Sequence, residues 1–506
     1  MSEPWLYPTV LLCVYGFFIS LRPSEPFLTA YLMGPEKNLT EIQVVNEIYP
    51  VWTYSYLALL FPVFLATDYL CYKPVIILQG ASFIVTYGML VKVQGVLAMQ
   101  FMEFFYGVST ATEIAYYSYI YSVVDPEQYQ QVTGYCRSIT LVGSAVGSLA
   151  GQVLVSVAQV RLLYLSIITL ASAVVAFAAP WFLPMASKSL FFHQRTKYLG
   201  KQSVQEPIAD TAMALMEDHH KVEKEDLECK VPLGLDGPDV LSRVMKQGGD
   251  RGSGLMDVLR ILWGDFLQCY SSCTLLAWSV WWALSTCGYF QVVNYTQALW
   301  EKVLPSNEYE IYNGYVETVS TLLGAVAAFG VSFVKISWAA WGELALCIFS
   351  VVIAVAVYLM DNVPNIWVCY TSYIVFRGTY MLLITIATFQ IAANLSMRRY
   401  ALVFGVNTFI ALLLQTLLTL IVVDTIGLGL DIFTQFMIYA SYFAVIAIIF
   451  LAAGVYKMVL RCRREPARQS ESRETESDSV GGDSSLNSAE AGETAGDLLS
   501  LHYQEN

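Results

Sequence analysis

The chain has 506 residues, 56% of them hydrophobic and only 14% charged, with a mean hydropathy of +0.53. A soluble domain is about a quarter charged, so this composition excludes one and points to a polytopic membrane protein. The formal charge of −13 sits mainly in the polar segment 203–251 and after Arg473, so it describes solvated segments rather than the membrane core, and no nucleic-acid partner is expected.

Apolar runs near the ~20 residues that span a bilayer recur along the chain. The first, 7–28, lacks a basic leader and a small-residue cleavage site, and is expected to stay in the membrane. Its outer end, "LRPSEPF", sets Arg22 and Glu25 three residues apart. Pro23 and Pro26 weaken the helix there and free backbone groups beside a cavity. The outer turn that follows holds the sequon Asn38-Leu39-Thr40, a glycan acceptor. The second run, 48–67, opens on Tyr49 and Trp52, whose faces attract cations and stack on flat rings. Asp68 and Lys73 flank the turn into the third run, 74–92, and read as a conformational latch at the cytosolic face.

The fourth run, 96–122, carries two glutamates, Glu103 and Glu113. At 3.6 residues per turn, Glu103, Tyr106, Thr110, Glu113 and Tyr117 fall within roughly an 80° arc. A carboxylate in mid-bilayer is costly, so this stripe faces protein or water, not lipid. Runs 130–157, with Arg137, and 161–184 follow. The polar stretch 188–265 holds His193, His219 and His220, which, with His502 in the tail, read as solvated. The ten cysteines are scattered, mostly inside apolar runs, so no metal, disulfide framework or cofactor is expected. Runs 273–299, 310–334 with Glu317, 338–360, 364–391 with Arg377, 400–423 and 433–457 complete twelve.

Lys and Arg gather at alternate turns: Lys73, the segment with Lys188 and Arg195, Lys335, Arg398–Arg399, and the flank from Lys457 to Arg468. Basic residues accumulate on the cytoplasmic side, which predicts twelve helices with both termini inside. The expected fold is an all-α membrane protein of two six-helix halves, 1–187 and 266–457. A largely disordered cytosolic loop, 188–265, separates them, and a disordered cytosolic tail, 458–506, follows. Two such halves with a site between them are the signature of a transporter.

The buried charges admit two readings. They pair among themselves, Arg22 with Glu25, Glu317 with Arg377, and Arg137 with Glu103 or Glu113, or the two acids of the fourth helix accept a cation. No G-x-x-x-x-G-K-[ST], G-x-S-x-G or H-E-x-x-H is present, so neither an ATP-driven pump nor an enzyme is predicted.

The stretches "GFFISLRPSEPFLTAYLMGPEKNLTE", "NEIYPVWTYSYL", "FLATDYLCYKPV", "GYCRS" and "ALVFGVNTFIA" resemble the reduced folate carrier and thiamine transporter family over nearly all of the membrane portion. "ATEIAYYSYIYSVV" and "WWALSTCGYFQVVNYTQALWEKV" are most similar to its thiamine-transporting members. The resemblance implies the major facilitator fold and places Glu25, Tyr49, Trp52, Glu103, Tyr106 and Asn294 in the substrate site. Their implied tasks are hydrogen bonds to an aminopyrimidine (Glu103, Asn294), ring stacking (Tyr49, Trp52, Tyr106) and charge balance (Glu25, with Glu113). Folate carriers have an arginine at the position of Glu113 and a lysine at that of Gln415. Folates are anions and thiamine carries a fixed positive charge. A unit charge pair at ~4 Å is worth about 4 kcal/mol at an effective dielectric of ~20, before desolvation, so these two differences favour a cation.

The expectation is therefore thiamine uptake across the plasma membrane by alternating access, by a glycosylated monomer in the lipid bilayer, with protons as coupling ion. Asp68, Arg137, Glu317 and Arg377 serve conformation or ion pairing. The alternatives are a carrier of another organic cation such as pyridoxine, a carrier of a folate-type anion, and, from another class, a membrane receptor or scaffold.

Overall fold

The computed structural model describes residues 5–124, 128–185, 260, 264, 266–270, 273–331, 338–392 and 397–482. The four histidines, nearly all of the expected loop 188–265, Lys335, the Asp68 side chain and the chain beyond Gly482 lie outside the described residues. Two units are distinguished, residues 1–448 and 449–506.

In the first unit, α1 (Leu6–Ser20) stops where the prolines begin, a 3-10 turn covers Glu25–Phe27, and α2 (Leu28–Met33) resumes the helix. Then come α3 (Tyr49–Tyr69), α4 (Lys73–Lys92), α5 (Val96–Val123), α6 (Tyr129–Ser156) and α7 (Leu162–Ala178). After the undescribed stretch follow α8 (Cys273–Val303), α9 (Asn313–Val331), α10 (Trp338–Asn362), α11 (Ile366–Ala392), α12 (Met397–Leu418) and the start of α13 (Ile432–Gly482). The described part of the second unit, residues 449–482, is helical, and it reaches into the stretch expected as a disordered tail. A sequence rich in Arg and Glu favours helix even without apolar burial.

Among the described residues, nine helices are long and apolar enough to cross a bilayer. The long helices outside that set are α5, α8 and α9. Each faces protein on several sides: α5 packs on α3 and α4, α8 on α11 and α12, and α9 on α6 and α11. A helix enclosed by others can carry polar residues that a lipid-facing helix cannot.

The break after α1 is held by close packing. Its extended backbone lies directly on α6 at Gly147 and Gly151, where an added Cβ would come within 2.7 Å of Arg22 N and 2.4 Å of Pro23 O. Arg22 Nε donates to Ile19 O at 2.8 Å and so satisfies a carbonyl at the end of α1. Gly147→Val must push this backbone away. The expected result is a chain destabilised by ~1–3 kcal/mol, read as reduced surface abundance and a lower unfolding midpoint in detergent. An unchanged midpoint would show that the segment has room to shift.

Lys73, beside the turn expected as a latch, bonds the chain after α7. Its Nζ donates to Trp181 O at 3.0 Å and Leu183 O at 2.7 Å, tying the start of α4 to the chain after α7. Those carbonyls end a helix and need donors.

Candidate functional site

The hydrogen bonds that join the two halves gather at the end of the bundle that holds Asn38. Two π-helical turns meet there, Gln43–Ile48 and Thr419–Val423. Asn46 Nδ2 donates to Val423 O at 2.5 Å and Leu430 O at 3.4 Å, and Tyr54 OH donates to Asp424 Oδ2 at 2.6 Å. Lys302 and Glu41 form an ion pair at 2.7 Å. Gln152 Nε2 donates to Ile311 O at 2.7 Å and its Oε1 accepts from Gly314 N at 2.8 Å.

Beneath this seam the predicted residues come together. Glu25 pairs with Arg22 at 3.3 Å and accepts from Tyr106 OH at 3.1 Å. The Arg22 guanidinium also lies 4.6 Å over the Phe83 ring. Trp52 sits 6.4 Å from Tyr106 and donates from Nε1 to Thr110 Oγ1 at 3.1 Å, so the polar stripe of α5 binds α3. Across the halves, Trp52 meets Phe290 edge-on at 6.2 Å and Tyr49 meets Tyr295 at 6.2 Å. Tyr49 OH and Thr29 Oγ1 share a hydrogen bond of 2.7 Å.

Glu103 is 4% exposed, and its carboxylate makes no hydrogen bond or ion pair among the described residues. Its electrostatic neighbours are the phenols of Tyr49, Tyr87 and Tyr106. Burying a carboxylate without a partner costs several kcal/mol, so this side chain is not held here for the stability of the fold. Asn294 Nδ2 is likewise buried with no hydrogen bond of standard geometry. Glu113 differs: it is exposed, with Tyr15, Tyr56 and Tyr117 as electrostatic neighbours. The stripe thus has a buried upper part and an open lower part.

Arg137 is exposed and its guanidinium lies 5.8 Å over the Tyr117 ring. In the second half, Arg377 contacts Glu317 directly through Nη1. Tyr373 OH donates to Glu317 Oε1 at 2.7 Å, and Ser320 Oγ accepts from Arg377 at 3.1 Å. The Tyr289 and Tyr380 rings stack at 3.9 Å beside this pair. Sequence reasoning missed Thr110 as the Trp52 partner, and it missed Gln297 and Asn313, which bond backbone groups of the other half. One signal was available: Gln291, Asn294 and Gln297 recur every three residues on the same side of α8.

Apolar helices long enough to cross a bilayer, packed around aromatic side chains and a carboxylate with no partner among the described residues, are the architecture of a membrane transporter. The chain belongs to the reduced folate carrier family, whose profile, described as "Reduced folate carrier", matches residues 3–438. It is 64% identical to human (Homo sapiens) thiamine transporter 1, over 94% of this chain and 95% of that one. It is 40% identical to the human reduced folate transporter, over 91% of this chain and 74% of the relative. The solved structure of a POT family transporter in complex with a thioalcohol-conjugated peptide has a TM-score of 0.56. That match covers 88% of this chain and 95% of the other at 10% identity, and it speaks to fold alone.

Proposed function

We propose that this chain carries thiamine across the plasma membrane by alternating access, and that the structure corresponds to a state closed at its outer end. The observation that carries the reading is Glu103, a buried carboxylate with no partner among the described residues, with the phenols of Tyr49, Tyr87 and Tyr106 around it. A flat, positively charged heteroaromatic solute supplies what this site lacks: a donor for the carboxylate and a ring for the aromatic walls. Arg22 and Arg377 each have a glutamate partner, which leaves neither as an uncompensated anion receptor. The 64% identity to a thiamine transporter supports the same solute.

In this reading both termini are cytosolic, Asn38 faces outward and carries a glycan, and one chain suffices for transport. Tyr49, Trp52 and Tyr106 stack on the substrate, Glu103 and Asn294 hydrogen-bond it, and Glu25 and Glu113 balance its charge. A proton replaces thiamine on Glu103 when the site empties, so thiamine entry is coupled to proton exit.

Uptake of labelled thiamine and labelled reduced folate into cells expressing the chain tests the substrate. Saturable thiamine uptake without folate uptake is expected, and folate uptake alone would overturn the reading. At constant outer pH, acidifying the cytosol is expected to speed thiamine entry, because the exported proton then runs down a steeper gradient. Indifference to that gradient removes proton coupling and leaves the substrate assignment intact.

A further inference from the structure

The break after α1 replaces a continuous helix by a short 3-10 turn, and side chains from the later helices bond several of its backbone groups. Gln297 of α8 uses both ends of its amide: Nε2 donates to Glu25 O at 2.9 Å, and Oε1 accepts from Thr29 N at 3.3 Å. Asn313, at the start of α9, donates from Nδ2 to Pro26 O at 3.1 Å and accepts from Tyr370 OH at 2.9 Å. Three backbone groups within five residues are therefore gripped by side chains more than 260 residues away in sequence. The residue at the centre of the grip is Glu25, whose carboxylate is already oriented from the other side by Arg22 and Tyr106.

We propose that Gln297 is a positioning residue for transport: by gripping the backbone at Glu25 and Thr29 it fixes the Glu25 carboxylate in the substrate site, and it does so only while the two halves are closed at this end. The physical basis is that a backbone N–H inside the bundle needs an acceptor and that Glu25 O, which already accepts from Leu28 N, has a second lone pair that Nε2 fills, so the segment's geometry follows the amide that holds both groups. When α8 withdraws from the break, Glu25 O keeps only the Leu28 N–H and Thr29 N loses its side-chain acceptor, so the carboxylate loses the frame that aims it. Closure of the halves and formation of the site thus become one event. Gln152 acts beside it on Ile311 and Gly314, but it bonds no group next to a candidate substrate residue.

The inference rests on Glu25 taking part in thiamine binding, so two measurements are needed. The first is a double-mutant cycle on thiamine uptake, normalised to surface abundance, with Gln297→Met, Glu25→Gln and both together. Methionine keeps the shape and removes both hydrogen bonds. The single Gln297→Met change is expected to raise half-saturation about five- to tenfold, and to change it less than about twofold once Glu25 is already Gln. Independent, additive effects would overturn the proposal, since a merely structural glutamine has no reason to act through Glu25.

The second measurement needs no substrate. Cysteines replacing Glu41 and Lys302, whose side chains meet at 2.7 Å across the closed end, are cross-linked with a short bismaleimide, and a protease cut in segment 188–265 then separates linked from unlinked halves. Gln297→Met is expected to slow cross-linking several-fold, and Asn313→Leu to do the same through Pro26. An unchanged rate in both would overturn the clamp even if thiamine were not the substrate. Absence of thiamine uptake in the unmodified chain, with cross-linking slowed as expected, would overturn the substrate assignment and keep the clamp.

Discussion

Glu103→Gln is expected to abolish saturable thiamine uptake at micromolar concentrations while the chain still reaches the cell surface. The substitution keeps the size of the side chain and one acceptor, and it removes the charge. Because Glu103 holds no other part of the protein by hydrogen bond or ion pair among the described residues, the fold has little to lose. Burial of a neutral amide at 4% exposure even lowers the desolvation cost of the empty site. The substrate loses a charge-assisted hydrogen bond worth about 1.5–3 kcal/mol, or roughly ten- to a hundredfold in half-saturation. Uptake kinetics beside surface biotinylation decide the matter. Normal uptake in Glu103→Gln would transfer the charge role to Glu25 and Glu113.

Glu317→Gln is expected to fail in the opposite manner, through loss of protein at the surface. Glu317 and Arg377 have side chains only 18% and 14% exposed, and Arg377 Nε already lacks a partner. Removing one member of a buried pair leaves an uncompensated charge and costs ~3–5 kcal/mol, a large share of the stability of an ordinary domain. Removing both costs less, so Glu317→Gln combined with Arg377→Gln should recover much of the abundance lost by the single change. Thermal unfolding in detergent and surface abundance measure this. A double variant as depleted as the single one would show that Tyr373, and not the charge balance, depends on Glu317.

The sequence disclosed those features that have a local cause. Hydropathy located most helix ends to within a few residues, because lipid contact demands apolar runs of fixed length, but not the end of α13, which continues to Gly482. Pro23 and Pro26 announced the break after α1, which begins at Leu21. The Arg22–Glu25 and Arg377–Glu317 pairs form as spacing and charge economy suggested. The joining of the halves was not legible, since the partners of Gln297, Asn313 and Gln152 are largely backbone groups, which every residue possesses. Nor was the difference between Glu103 and Glu113: helical spacing puts them on one face, yet one is buried and the other exposed. Nor were the acceptors of Lys73, backbone carbonyls 108 and 110 residues along the chain.

The low apolarity of α5, α8 and α9 has a consequence for how the chain is made. Each helix leaves the ribosome and meets the membrane in order, and a helix with ionisable residues settles poorly until neighbours shield them. For α5 the shield is ready, because α3 and α4 are already synthesised when it emerges. For α8 it is not, since α11 and α12 come later. The first half can therefore be assembled as it is translated, while α8 must linger at the translocon until the end of the chain arrives. A truncation after α9 should strand α8 in the quality-control machinery, whereas a truncation after α7 should leave α5 inserted.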